Sequence, residues 1–182
     1  MLFRSARLVE GLLALARAEG QRPEREVIDL DDEVAHRIEA WTALADEHGV
    51  HIVAPGPTAL EVLAVRSAVP QVLDNYLANA LEVSPVGSSI RVVVETDAEF
   101  ATVHVIDEGP GLPESDRLRA FDRFWRGPGS TPGSGSGLGL AIVRQLAEAG
   151  GGRVALDAAS SGGIDATASF PLSTSVRTPR TE

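Results

Sequence analysis

Between Gly127 and Gly137 the chain is almost entirely Gly, Ser, Pro and Thr, a composition that cannot bury a core. That run has to be a loop and is expected to be mobile, so any compact fold must be closed by the elements on either side of it. Downstream, the spacing predicts a helix from Leu138 to about Ala149, stopped by the glycines at 150–152, and then two strands, Arg153–Asp157 and Ile164–Phe170. Upstream, Ser89–Glu95 alternates with Ile90, Val92 and Val94 on one face, Phe100–Ile106 alternates too, and Asp97-Ala98-Glu99 joins them as a hairpin. A helix covers roughly Ser67 to Glu82, and His51–Val53 and Leu60–Val65 read as short strands around an Ala-Pro-Gly-Pro turn. Before these lie a strand at Glu26–Leu30 and a helix to about Glu47, capped by Asp31 or Asp32, with Val34, Ile38, Trp41 and Leu44 on its buried side. Alternating strands and helices with two hairpin-like pairs predict a mixed sheet covered by helices on one face.

The 182 residues suffice for one well-cored domain with an appendage. Residues Arg4–Glu19 carry Leu8, Leu12 and Leu15 beside Val9, Leu13 and Ala16, a stripe wide enough for a terminal helix facing two neighbours. Arg4, Arg7, Glu10 and Arg17 interrupt it, which argues against a signal peptide and for a cytoplasmic location. With no cysteine, disulfides and thiolate metal sites are excluded, and a net charge of -10 argues against nucleic acid as a partner. All 16 basic residues are arginine. Every nucleotide site built on a required lysine, the P-loop included, is therefore ruled out.

Four segments nevertheless carry the marks of a nucleotide site. In Gln71–Pro85, Asn75 and Asn79 lie one helical turn apart beside the apolar Val72, Leu73, Tyr76, Leu77 and Ala80, where an amide needs partners. An Asn carbonyl is also a suitable hard ligand for Mg²⁺. In Asp107–Gly111, an acid at a strand end could mark an ordinary turn, yet a fixed carboxylate is the natural acceptor for the N6 amine of adenine. Gly109 and Gly111 would let the backbone pass close to the ring. In Phe121–Gly127, Phe121 and Phe124 read as core anchors at the base of the loop, and Arg123 and Arg126 as surface arginines that could swing onto a triphosphate. Finally, Gly135, Gly137 and Gly139 lead straight into a helix whose free N–H groups can receive phosphate oxygens. The flexible run before them, in place of a strand, speaks against a dinucleotide-binding fold.

In this order and spacing the segments resemble the catalytic domain of sensor histidine kinases, within the wider group of gyrase-like and MutL-like ATPases. The resemblance covers roughly residues 26–171 and implies the Bergerat fold, a two-layer α/β sandwich, here with an extra N-terminal helix. It implies ATP and Mg²⁺ as cofactors, with Asn79 as the metal-binding asparagine and Asp107 as the adenine-binding aspartate. Gly109 and Gly111 match the first glycine box, and Phe121 and Phe124 the phenylalanine box. Gly135, Gly137 and Gly139 match the second glycine box, with Leu138 among the nucleotide-binding residues, and residues 126–136 correspond to a lid. Asn75, Arg123 and Arg126 form the candidate catalytic set. Asn75 stands where ATPase relatives carry a water-activating Glu, which favours phosphoryl transfer over hydrolysis.

Residues 1–20 resemble the second helix of the family's dimerisation hairpin, residues 21–172 form the expected catalytic domain, and 173–182 are expected to be a disordered tail. None of the histidines at 36, 48, 51 and 104 matches the phosphorylated one, so the acceptor is expected on another segment of a homodimeric parent in the cell membrane, serving a cognate response regulator. A nucleotide-responsive binding module and a serine kinase of the anti-sigma type are the alternatives. Two positions depart from the family pattern: where many relatives have a basic residue and then an aromatic after the metal-binding Asn, this chain has Glu82 and Val83.

Overall fold

A computed structural model describes residues 24–54, 56, 58–127 and 136–173. The expected N-terminal helix, most of the lid, Gly135 and the tail apart from Ser173, whose N–H donates to Glu61 O at 2.8 Å, lie outside the described residues.

Two strands and a helix open the described chain. Strand β1 (Arg25–Asp29) leads into α1 (Leu30–Glu47), followed by β2 (His51–Val53) and β3 (Glu61–Val65). Asp29 caps α1 by accepting the N–H of Asp32, and Asp31, Asp32 and Glu33 place negative charge against the positive helix end. The cap is thus earlier than the sequence suggests. Asp31 is committed elsewhere: its carboxylate accepts from Thr58 N at 3.0 Å, Thr58 Oγ1 at 2.6 Å and Ala59 N. Together with Leu30 N donating to Leu60 O, this grip draws the start of β3 to the start of α1. As a consequence the strands around the Pro-rich turn do not pair with each other. β3 pairs antiparallel with β1, and β2 joins the main sheet in parallel with β4. Leu44, expected inside, is 41% exposed, whereas its neighbour Ala45 is fully buried, as is Val50, whose N–H donates to Ala45 O.

Helix α2 (Ala68–Val83) is followed by the hairpin β4 (Ser89–Thr96) and β5 (Phe100–Ile106), whose turn is held by Asp97 Oδ1 accepting the N–H of Glu99 and Phe100. Pro70 falls in the first turn of α2, where a missing N–H costs nothing. A short helix, α3 (Glu114–Arg119), then α4 (Gly139–Ala149), β6 (Arg153–Ala158) and β7 (Ile164–Pro171) complete the order. The main sheet runs β2-β4-β5-β7-β6, antiparallel except for β2 and β4. Its covered face supplies Ile90, Val92, Val103, Val105, Ala168 and Phe170 to the core, against Val69, Leu73, Leu77 and Val143 of the helices. Tyr76 is buried at the centre and donates its hydroxyl to Thr167 O at 2.8 Å. The mixed sheet with helices packed against it is the expected α/β architecture.

Candidate nucleotide site

Asp107 leaves the end of β5 only 5% exposed, so its carboxylate must be bonded. Oδ1 accepts the backbone N–H of Gly109 at 2.7 Å and of Ile164 at 3.3 Å, while Ser161 Oγ donates to the Asp107 carbonyl at 3.1 Å. Burial pushes the carboxyl pKa above its usual value, against the opposing pull of the two backbone donors. Among the described residues Oδ2 takes no hydrogen bond. One oxygen therefore anchors the side chain and the other is left to accept a donor from outside.

The turn between β6 and β7 is part of this anchor, and sequence reasoning did not include it. A side chain at Gly163 would collide with both the carbonyl and the Oδ1 of Asp107. Gly111 has φ +69°, and a Cβ there would lie 2.5 Å from Gly162 O, so the two turns meet backbone to backbone. Only the glycines at 162 and 163, ahead of a strand, hinted at such an approach. The facing wall comes from α2: a Cβ on Gly109 would be 2.8 Å from Cγ2 of Val83, which is itself 44% exposed.

The two asparagines do different work. Asn75 is half-buried, donates Nδ2 to Gln71 O at 2.7 Å, and turns Oδ1 toward Gly139, where a Cβ would lie 2.6 Å away. Asn79 is exposed and makes no hydrogen bond among the described residues, contrary to the expectation that both amides need buried partners. Helix α2 thus touches the first turn of α4 at Asn75 and the Asp107 loop at Val83. With 1.5 Å of rise per residue these contacts stand about 12 Å apart, and Asn79 lies midway.

The base of the lid is closed by backbone. Phe124 N donates to Gly137 O at 2.8 Å, and Gly137, at φ +69°, lies so close to Phe124 and Trp125 that a Cβ would be 2.7 Å from Trp125 O. Phe121 is 7% exposed and anchors this base in the core as expected. Phe124 does not: at φ +65° its side chain turns outward and is 71% exposed, so its contribution is its backbone. Arg123 and Arg126 border an open depression of about 610 Å³ with Asp116, Arg119, Asp122 and Trp125, a set that does not include Asp107. Leu138 is buried and precedes α4, with its N–H bonded to Ser136 Oγ, and no side chain caps the helix. The first N–H groups of α4 have no hydrogen-bond partner among the described residues, and a helix start of this kind can receive an anion. Among the described residues no three His, Cys, Asp or Glu side chains are grouped to hold a metal, so a cation here would have to arrive with oxygens of its own.

The model of the histidine kinase-, DNA gyrase B- and HSP90-like ATPase family matches residues 64–174, from β3 through the Asp107 loop, α4 and β7. The chain belongs to this family. Within it, this is a catalytic ATPase domain of the sensor histidine kinase type. Sensor histidine kinase CusS of Escherichia coli K12 is 38% identical over 164 residues, 85% of this chain and 33% of that protein. The chain therefore spans about a third of the length of the curated relatives it matches. Among solved structures, the mycobacterial sensor histidine kinase MprB superposes with a TM-score of 0.70 at 28% identity, over 81% of this chain and 98% of that one. Full-length ShkA in complex with AMPPNP gives 0.78 at 25% identity, over 93% and 36% respectively. No described helix of this domain is long and apolar enough to cross a membrane.

Proposed function

We propose that this domain binds Mg-ATP between α2, the Asp107 loop and α4, and transfers the γ-phosphoryl group to a histidine on the dimerisation hairpin of its parent, to which residues 1–20 are assigned. Residues 21–172 then form the catalytic unit. The observation that carries the reading is the carboxylate of Asp107, with Oδ1 tied to two backbone N–H groups and Oδ2 left to accept the adenine N6 amine. The 12 Å or so along α2 from Val83 to Asn75 suits a nucleotide lying lengthwise, base against Gly109 and phosphates toward the open N–H groups of α4. The complex of ShkA with AMPPNP supports the ligand class. The exposed amide oxygen of Asn79 fits a cation carried on phosphates, and bound Mg²⁺ would neutralise charge developing on them.

In the transfer, a ring nitrogen of the acceptor histidine forms the new bond to the γ-phosphorus as the bond to the bridging oxygen breaks, and ADP leaves with that electron pair. The protein's part is positioning and exclusion of water. Asn75 has no proton-accepting side chain, and its amide is engaged with Gln71 and Gly139, which favours transfer over hydrolysis. Arg123 and Arg126, at the base of the lid, are the cations nearest in sequence to its closing stretch and are assigned to the phosphates. The parent is assigned as a membrane-bound homodimer with a cognate response regulator.

Incubation with γ-labelled ATP tests this. The chain alone should remain unlabelled, and a supplied hairpin bearing the parent's histidine should acquire acid-labile label. Label on this chain alone overturns the assignment of the acceptor, and ATP binding without any label on the hairpin favours a nucleotide-responsive binding module.

A further inference from the structure

The last turn of α2 has an electrostatic character that nucleotide binding alone does not account for. Glu82 is the penultimate residue of the helix, exposed, and makes no ion pair or hydrogen bond among the described residues. A carboxylate is unfavourable there, because the carbonyl end of the helix is already the negative end of its dipole. No basic residue occupies that turn to offset it. The cap does not use Glu82 either: Ser84 closes the helix, donating both N–H and Oγ to Ala80 O at 3.0 and 2.7 Å.

The position of this charge is fixed by its neighbours. Val83 packs on Gly109 and so holds the helix end beside the loop of Asp107. Asn79, one turn back, is on the same helical face as Glu82, and residues three apart bring their side chains together. An exposed amide oxygen, an unpaired carboxylate and the carbonyl end of the helix therefore gather on one stretch of α2, between its contact with the base-side loop and its contact with Gly139. All are electron-rich, and none is a hydrogen-bond donor to phosphate except the Nδ2 of Asn79.

We propose that Glu82 is a specificity-determining residue that makes this site select the metal complex of a nucleoside triphosphate and reject the metal-free form. At the proposed nucleotide site, on which this role rests, the sign of the charge decides what is held. A metal-free triphosphate lying along α2 brings its negative charge to a carboxylate and a helix C-terminus, and is repelled. The same triphosphate carrying a divalent cation presents that cation to the Asn79 oxygen and to Glu82, and the repulsion becomes attraction. Adenosine has neither charge and is indifferent. For a single charge acting through a solvated gap of several ångströms the selectivity amounts to about tenfold at low salt, and it shrinks as salt screens it.

The experiment is calorimetric titration of the whole chain and of Glu82→Gln with three probes: ATP in EDTA, ATP with saturating Mg²⁺, and adenosine. Gln keeps the size of an exposed side chain and removes only its charge. The ratio of metal-bound to metal-free ATP affinity should fall about tenfold in Glu82→Gln, and less at high salt, with adenosine unchanged. An unchanged ratio with adenosine still bound overturns the role of Glu82 alone. Failure of both proteins to bind adenosine or ATP, with or without metal, overturns the nucleotide site and this inference with it.

Discussion

Replacing Asp107 in two ways separates what its carboxylate does for the fold from what it does for a ligand. Ala removes the acceptor of two backbone N–H groups, those of Gly109 and Ile164, in a nearly closed environment. An orphaned buried donor costs about 1–3 kcal/mol, and with one bond at 2.7 Å and the other a longer 3.3 Å, Asp107→Ala should lose about 2–4 kcal/mol of stability. Asn keeps an oxygen in place for both donors and should stay within about 1 kcal/mol of wild type, since it also escapes the desolvation of a charge. For the ligand the order differs. In Asp107→Asn an NH₂ replaces Oδ2 and meets the adenine N6 amine donor to donor, and the loss of a charge-assisted bond of about 1.5–3 kcal/mol should weaken adenosine by about a hundredfold.

A pH series adds a second check on the same residue. The folded-state pKa of Asp107 is raised above 3.8, chiefly by burial, so between the two values the native chain holds a proton that the unfolded chain has released. The contribution of Asp107 to stability therefore increases as pH falls from the raised value toward 3.8. Adenosine affinity moves the other way over that window, because the proton occupies Oδ2 and turns an acceptor into a donor. Urea unfolding and calorimetry, each as wild type minus Asp107→Asn, measure the two trends. Adenosine bound equally well by Asp107→Asn, or stability and affinity changing together with pH, would refute the division of labour between the two oxygens.

Two further substitutions probe the supports of the site. Gly139→Ala brings a Cβ within 2.6 Å of Asn75 Oδ1 and should cost about 1–3 kcal/mol, part of which Asn75→Ala should restore in the double variant; strictly additive losses in urea unfolding would mean that the helices do not meet there. Tyr76→Phe removes the bond to Thr167 O and should cost about 1–2 kcal/mol near neutral pH. Since burial pushes the Tyr76 hydroxyl far above 10.0, wild type should also lose stability as pH rises past that value, and the Phe variant should not share this loss; identical alkaline profiles would place the hydroxyl in contact with water.

Period and punctuation in the sequence were enough for every described element but one, and for most of their bounds. Phe100–Ile106 stands where the alternation puts it, since a strand with one buried face writes its period into the chain, and His51–Val53 stands as the short strand expected before the Pro-rich turn. The short α3 leaves no such signal, because its six residues are too few to show a helical period and none is buried. The candidate site was legible as a set of residue types, Asn, Asp and closely spaced glycines, because close backbone approach admits little else. What each of them does was decided by tertiary structure. Local sequence could not say that Asn75 braces Gly139 while Asn79 stays open, nor that Phe121 turns inward and Phe124 outward. It could not pair β3 with β1, or bring the turn at 161–163 under Asp107, more than fifty residues away along the chain. Composition and spacing determine which groups a segment can offer. Which of those groups is spent on holding the fold, and which is left over for a ligand, depends on contacts between segments that meet only once the sheet has formed.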